Sequence, residues 1–181
     1  MTGYRLDPHT VEARPSVLGG TLIDVTLTDP GDDRPTPAAR PVWETWSDGV
    51  PTRPNQWAPL DTQGRSEWLR LTGDGPYRPA GLSGGTYHLD GQHVTDRSGL
   101  FLALGEALLG PGADYGTCLD SLADALSGGT CVVPPFTLVW HHAGIARHAL
   151  AGDVLYHLGG PSYFEATVNL LRECGVTVVL R

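Results

Sequence analysis

A chain of 181 residues with ordinary apolar content can bury one medium core or two small ones. Its formal net charge of −8, with twelve basic residues that are all Arg, excludes nucleic-acid or anionic-membrane binding through a basic surface. The same charge leaves a basic protein as a fitting partner.

Residues 1–80 are rich in Pro and Gly and hold four of the five Trp, Trp43, Trp46, Trp57 and Trp68. Residues 21–28 alternate and are β-branched, which predicts a strand that Pro30-Gly31-Asp32-Asp33 ends as a turn. Residues 41–46 and 66–71 read as further short strands. The expectation is a small, mainly β N-terminal region of unknown role, with the Trp side chains as its core in preference to a ligand groove. Residues 73–85, with Pro76, Pro79 and Gly84-Gly85, read as a junction.

From residue 86 the texture changes. Residues 86–90 predict a short strand ending at Asp90-Gly91, and Ser98 is the expected cap of an apolar helix over 99–109, stopped by Gly110-Pro111-Gly112. Next comes a loop and a helix. Asp114-Tyr115-Gly116 is loop chemistry, Thr117 the expected helix cap, and Leu119, Leu122 and Leu126 the inward face. Asp120 and Asp124 share another face four residues apart, and Gly128-Gly129 stops the helix. Residues 136–140 predict a buried strand, and a short helix is expected around 145–150. Ser162-Tyr-Phe-Glu165 is a capping box opening a helix that ends at Gly175, and residues 176–180 form a last β-branched strand. Strands alternating with helices describe an α/β domain with a parallel sheet over 86–181.

The acidic helix stands out chemically. Two carboxylates at i, i+4 repel by a few tenths of a kcal/mol. Between Arg97 and Arg147 the chain has no Lys or Arg, while Glu106, Asp114, Asp120 and Asp124 fall inside. Either this is a solvated acidic face, or it is a surface built to meet a cation-rich partner that relieves the repulsion.

The order of elements, with Tyr115-Gly116-x-x-Leu119-Asp120-x-Leu122-x-Asp124-x-Leu126, resembles the barstar family of intracellular ribonuclease inhibitors over roughly 86–181. The resemblance implies a small three-stranded parallel sheet flanked by helices. It also implies that the loop and helix enter a nuclease active site, with carboxylates in the place of RNA phosphates. By that likeness Asp124 matches the aspartate of the phosphate-binding centre, Asp120 the aspartate one turn earlier, and Tyr115-Gly116 the aromatic loop at the rim. Thr117 and Cys118 lie on the same surface. Asp114 stands where the family has a tyrosine, Cys118 where it has an asparagine and Ala123 where it has a tryptophan, which implies a different or retuned nuclease. Glu173 is the candidate for a further inhibitory acid, although aligning it needs a gap before Gly175.

Other chemistry is weaker. His141, His142, His148 and His157 lack the spacing of a metal site, and no Gly-rich phosphate loop appears, so no metal and no cofactor are expected. A nucleophilic role for Cys118 is disfavoured because its acidic surroundings should raise the thiol pKa. Three cysteines, Cys118, Cys131 and Cys174, do not describe a disulfide framework. Without a signal-peptide pattern or an apolar run of roughly 18–20 residues, a cytoplasmic location and a monomer are the default expectations. Two readings stay open: a non-enzymatic inhibitor of a basic microbial ribonuclease, and an immunity or regulatory module for another basic protein.

Overall fold

A computed structural model of the protein describes residues 10–17, 19–28, 36–73, 82–128, 132–155 and 160–181. Contacts divide the chain into two compact units, Met1–Pro35 and Thr36–Arg181. The first holds an antiparallel hairpin of β1 (Thr10–Pro15) and β2 (Ile23–Thr28), paired from Thr10↔Thr28 to Pro15↔Ile23. Its turn uses Gly19 and Gly20, both at positive φ. The strand expected over 21–28 is therefore present. The turn at 30–33 and most of the junction at 73–85 lie outside the described residues, as do Cys131 and His157.

The two further strands expected before residue 80 are helices. Residues 41–46 lie in α1 (Ala39–Ser47), and residues 66–71 in α2 (Thr62–Thr72). The physical reason is the spacing of apolar contacts. Ala39, Val42 and Trp46 recur at i, i+3 and i+7, and Trp68, Leu71 and Thr72 sit at i, i+3 and i+4, so each set lines one helical face. Pro41 falls in the first turn of α1, where it removes no intrahelical hydrogen bond. Asp61 caps α2, its carboxylate accepting from the Gly64 N–H at 2.7 Å. Trp57 and Trp68 are core residues as expected, whereas Trp43 is 37 % exposed.

The rest of the second unit follows the expected alternation. A three-stranded parallel sheet has the order β4 (Thr86–Asp90), β6 (Thr137–His141), β7 (Thr177–Leu180). Leu89, Trp140 and Leu180 lie in one register row. Two short strands, β3 (Leu82–Ser83) and β5 (Val132–Val133), pair beside it. Between the strands run α3 (Arg97–Leu109), α4 (Leu119–Gly128), α5 (Ala143–Ala149) and α6 (Tyr163–Glu173). Leu89, Leu138 and Trp140 are fully buried, with Trp140 against Phe164 of α6. On the other face His88, His141 and Val179 keep exposure while Val139 of the central strand is buried between them, so that face is only partly covered.

Helix starts show how local chemistry decides boundaries. The Ser162–Glu165 capping box of α6 forms in both directions. At α3 the cap is Asp96 and not the expected Ser98. Asp96 has extended backbone and accepts from the Gly99 N–H at 2.8 Å, which places Ser98 inside the first turn. No helix of the described residues is long and apolar enough to cross a membrane.

Candidate partner-binding site

The loop after α3 reaches the acidic helix through a series of close approaches. A Cβ on Gly105 would collide with the Ala113 carbonyl, so the glycine lets the loop lie directly on α3. The Asp114 carboxylate accepts from the Gly116 N–H at 2.6 Å, closing a tight turn. Gly116 has φ +110°, and a Cβ there would stand 2.8 Å from the Leu122 nitrogen. Only glycine combines that conformation with that proximity.

Tyr115 points inward. It is 2 % exposed, and its hydroxyl donates to the Val132 carbonyl. Its side chain therefore fastens the loop from within, while Thr117, Cys118, Asp120 and Asp124 are exposed.

The start of α4 differs from the Thr117 cap read in the sequence. The helix begins at Leu119, and Cys118 and Ser121 cap each other at its start. The Ser121 hydroxyl accepts from the Thr117 N–H at 2.7 Å and from the Cys118 N–H at 3.0 Å, and its own proton has two acceptors in reach, the Cys118 carbonyl at 3.1 Å and the Cys118 sulfur at 3.4 Å. In return the Ser121 N–H points at the Cys118 sulfur, 3.5 Å away. This is a capping box with a thiol in the usual hydroxyl position. Thr117 is displaced from the role because it lies two residues before the helix.

Those bonds also settle the Cys118 thiol. The Ser121 side chain, then the Ser121 N–H, pull it below its ordinary value, helped by the Asp120 N–H, while burial and the Asp120 charge push the other way and are outweighed. The rise expected from acidic neighbours is thus corrected: hydrogen bonds to the sulfur outweigh a solvent-exposed charge.

Leu122 and Leu126 of α4 are buried, and Leu119 is half-buried. Asp120 and Asp124 are exposed one turn apart, and neither makes an ion pair among the described residues. Arg97, the last Arg before the two acids in sequence, is committed elsewhere. It pairs with Asp153 at 3.0 Å and lies over the Tyr163 ring at 4.5 Å. Glu173 is exposed in the last turn of α6, with no hydrogen bond or ion pair to α4 among the described residues.

The histidines considered for a metal take other partners. His141 meets His88 at 2.9 Å with the rings stacked, and His142 meets Asp90 at 3.2 Å. Burial raises the Asp90 carboxyl, but the Gln92 N–H and His142 together hold it below its usual range. His148 is exposed on α5. No group of three or more metal-ligating side chains gathers among the described residues. His88 and Asp90 were not singled out in the sequence; the register of β4 beside β6 brings them to the pair of adjacent histidines.

A three-stranded parallel sheet backed by helices, with an acidic helix on an ordered loop, defines a small α/β domain. The C-terminal part of the chain belongs to the barstar family: residues 85–174 match its model, described as "Barstar (barnase inhibitor)". That family is one of inhibitors and not of catalysts, and its partners are ribonucleases. No curated protein matches the chain.

Proposed function

We propose that the protein inhibits a microbial ribonuclease by placing the loop and helix that carry Asp120 and Asp124 in the enzyme's phosphate site. The observation that carries this reading is the pair of exposed carboxylates on α4, unpaired among the described residues and held on a barstar-family domain. A nuclease site lined with cations for phosphate is the complement of such a pair. Asp114, Thr117 and Cys118 then form the contact rim, while Tyr115 and Gly116 hold its shape. Glu173 is a secondary contact. The protein performs no chemistry of its own in this role, needs no cofactor, and acts in the cytoplasm as a monomer.

Inhibition of a panel of small secreted microbial ribonucleases, barnase among them, tests the proposal beside Asp124→Ala. Wild-type inhibition weakened about 30-fold or more in the variant is expected, the scale of an interface hot spot. Wild-type inhibition with no loss in Asp124→Ala would place the contact elsewhere. Association should also slow steeply with added salt, because attraction between acidic and basic faces is screened.

A second reading, a module for another basic protein, is favoured by one observation: residues 36–73 fold with the barstar-family part but lie outside the family match. In that case no ribonuclease on the panel is inhibited, and a pull-down recovers a basic protein through the same α4 face.

A further inference from the structure

Residues 36–73 are joined to α3 at both of its ends. At the start, the Arg65 guanidinium reaches Asp96, the cap of α3, at 2.7 and 2.9 Å, and the same guanidinium donates to the Leu60 carbonyl. Trp57 is fully buried there, where a Cβ on Gly99 would stand 3.3 Å from its ring. At the other end, the Asn55 N–H donates to the Glu106 carboxylate at 2.9 and 3.2 Å. The segment thus cannot slide along α3 without breaking a shielded ion pair and a partly buried hydrogen bond.

Its next contact is with the loop that leads to the acids. A Cβ on Gly112 would stand 2.7 Å from Val50 Cγ1 and 3.2 Å from Pro51 Cδ, so the loop backbone lies directly on these two residues. Two residues further on, Asp114 begins the turn that sets Gly116 and α4. From the other side the loop lies on Gly105. The loop is therefore held between α3 and the 50–51 corner, and the segment that carries that corner is fastened to both ends of α3 through Asn55 and Arg65.

From this arrangement we infer that residues 36–73 are a brace for the binding loop, with Val50 and Pro51 as positioning residues that set where Asp114–Asp124 stand. The inference rests on the reading of that segment as the binding site. A loop held in one place before contact binds without an ordering cost, so the brace acts on affinity without touching the partner.

Val50 suits a test in the full chain because it is 39 % exposed and its loss removes little core. Val50→Ala deletes the atom against Gly112; Val50→Ile keeps it. Amide exchange followed by mass spectrometry, with no ribonuclease present, reads the segment 110–118. In Val50→Ala that segment should exchange about fivefold faster while α6 and β7 keep wild-type rates, and Val50→Ile should restore protection. Unchanged exchange at 110–118 in Val50→Ala overturns the brace, as does an equal rise over the whole chain. Against barnase, or whichever panel ribonuclease the wild type inhibits, Val50→Ala should weaken inhibition and Val50→Ile should not. Equal inhibition by wild type and Val50→Ala overturns the positioning role. A panel with no inhibited member, alongside the local exchange change, removes the ribonuclease reading and keeps the brace.

Discussion

The Tyr115 hydroxyl donates to the Val132 carbonyl, joining the loop before α4 to the strand after it. The helix that carries both acids is thereby closed at its two ends by one bond across 17 residues. Tyr115→Phe keeps the ring and removes the donor, leaving a buried carbonyl without it. The expected cost is about 1 kcal/mol in urea unfolding, with far-UV circular dichroism unchanged. A loss near zero would mean that ring packing alone holds the loop.

Asp120 and Asp124 should separate stability from binding. Each adds like charge to α4 with no ion pair among the described residues, so Asp124→Ala should leave stability unchanged or raise it by a few tenths of a kcal/mol, read as a melting temperature equal to or slightly above that of the wild type. A marked destabilisation would show that Asp124 has a structural role and would confound its use as a binding probe.

The cap of α4 makes a chemical prediction. Because Ser121 pulls the Cys118 thiol down, the exposed Cys118 should be alkylated faster than the half-buried Cys174 at pH 7.0–8.0, about the range where an ordinary thiol begins to ionise. Ser121→Ala removes the first cause of that shift and should slow Cys118 labelling. It should also cost about 1 kcal/mol, the usual worth of a helix cap. Mass-spectrometric labelling rates at two pH values decide it.

Arg65 and Asp96 predict the acid limb of stability. Burial alone would raise the Asp96 carboxyl, but Arg65 and the Gly99 N–H hold it below its ordinary value. The folded state thus prefers the anion more strongly than the unfolded chain does. Its contribution is complete above about pH 4, the unfolded value, and is lost as pH falls through the folded one. Arg65→Met should cost on the order of 3 kcal/mol at neutral pH and flatten this acid limb in denaturation curves taken from pH 7 downward.

Glu106 has the opposite sign. Burial raises its carboxyl, with the Asn55 N–H only partly offsetting it. Its contribution is therefore largest below the ordinary carboxylate range and declines as pH rises through the raised value. Glu106→Gln keeps an acceptor for Asn55 and should change neutral-pH stability by less than about 1 kcal/mol, while Glu106→Ala should cost about 1–2 kcal/mol. Equal losses in the two variants would rule out the hydrogen bond as the important contact.

Much of the domain from residue 86 was legible because each element carries two agreeing signals. Residues 162–165 cap a helix whose Phe164, Val168 and Leu171 repeat on one face, and the β-branched residues 177–179 follow a glycine stop. Residues 41–46 and 66–71 misled because they combine Trp with β-branched or acidic neighbours in runs too short to show a period. Their helical face appears only once Ala39 or Thr72 is counted. The acids of α4 were visible in their spacing. The inward turn of Tyr115 was not, since its acceptor is Val132, and the sign of the Cys118 shift depended on a serine hydroxyl whose direction no spacing reveals.

The burial of Trp57 against Gly99 separates two boundaries on this chain. Similarity begins at residue 85, but the compact unit begins at Thr36. A fragment cut at residue 85 would keep every family position and still present the empty sockets of Trp57, Trp68 and Val42 to water, inviting aggregation. Anyone grafting this barstar-family domain onto another protein should therefore carry α1 and α2 with it.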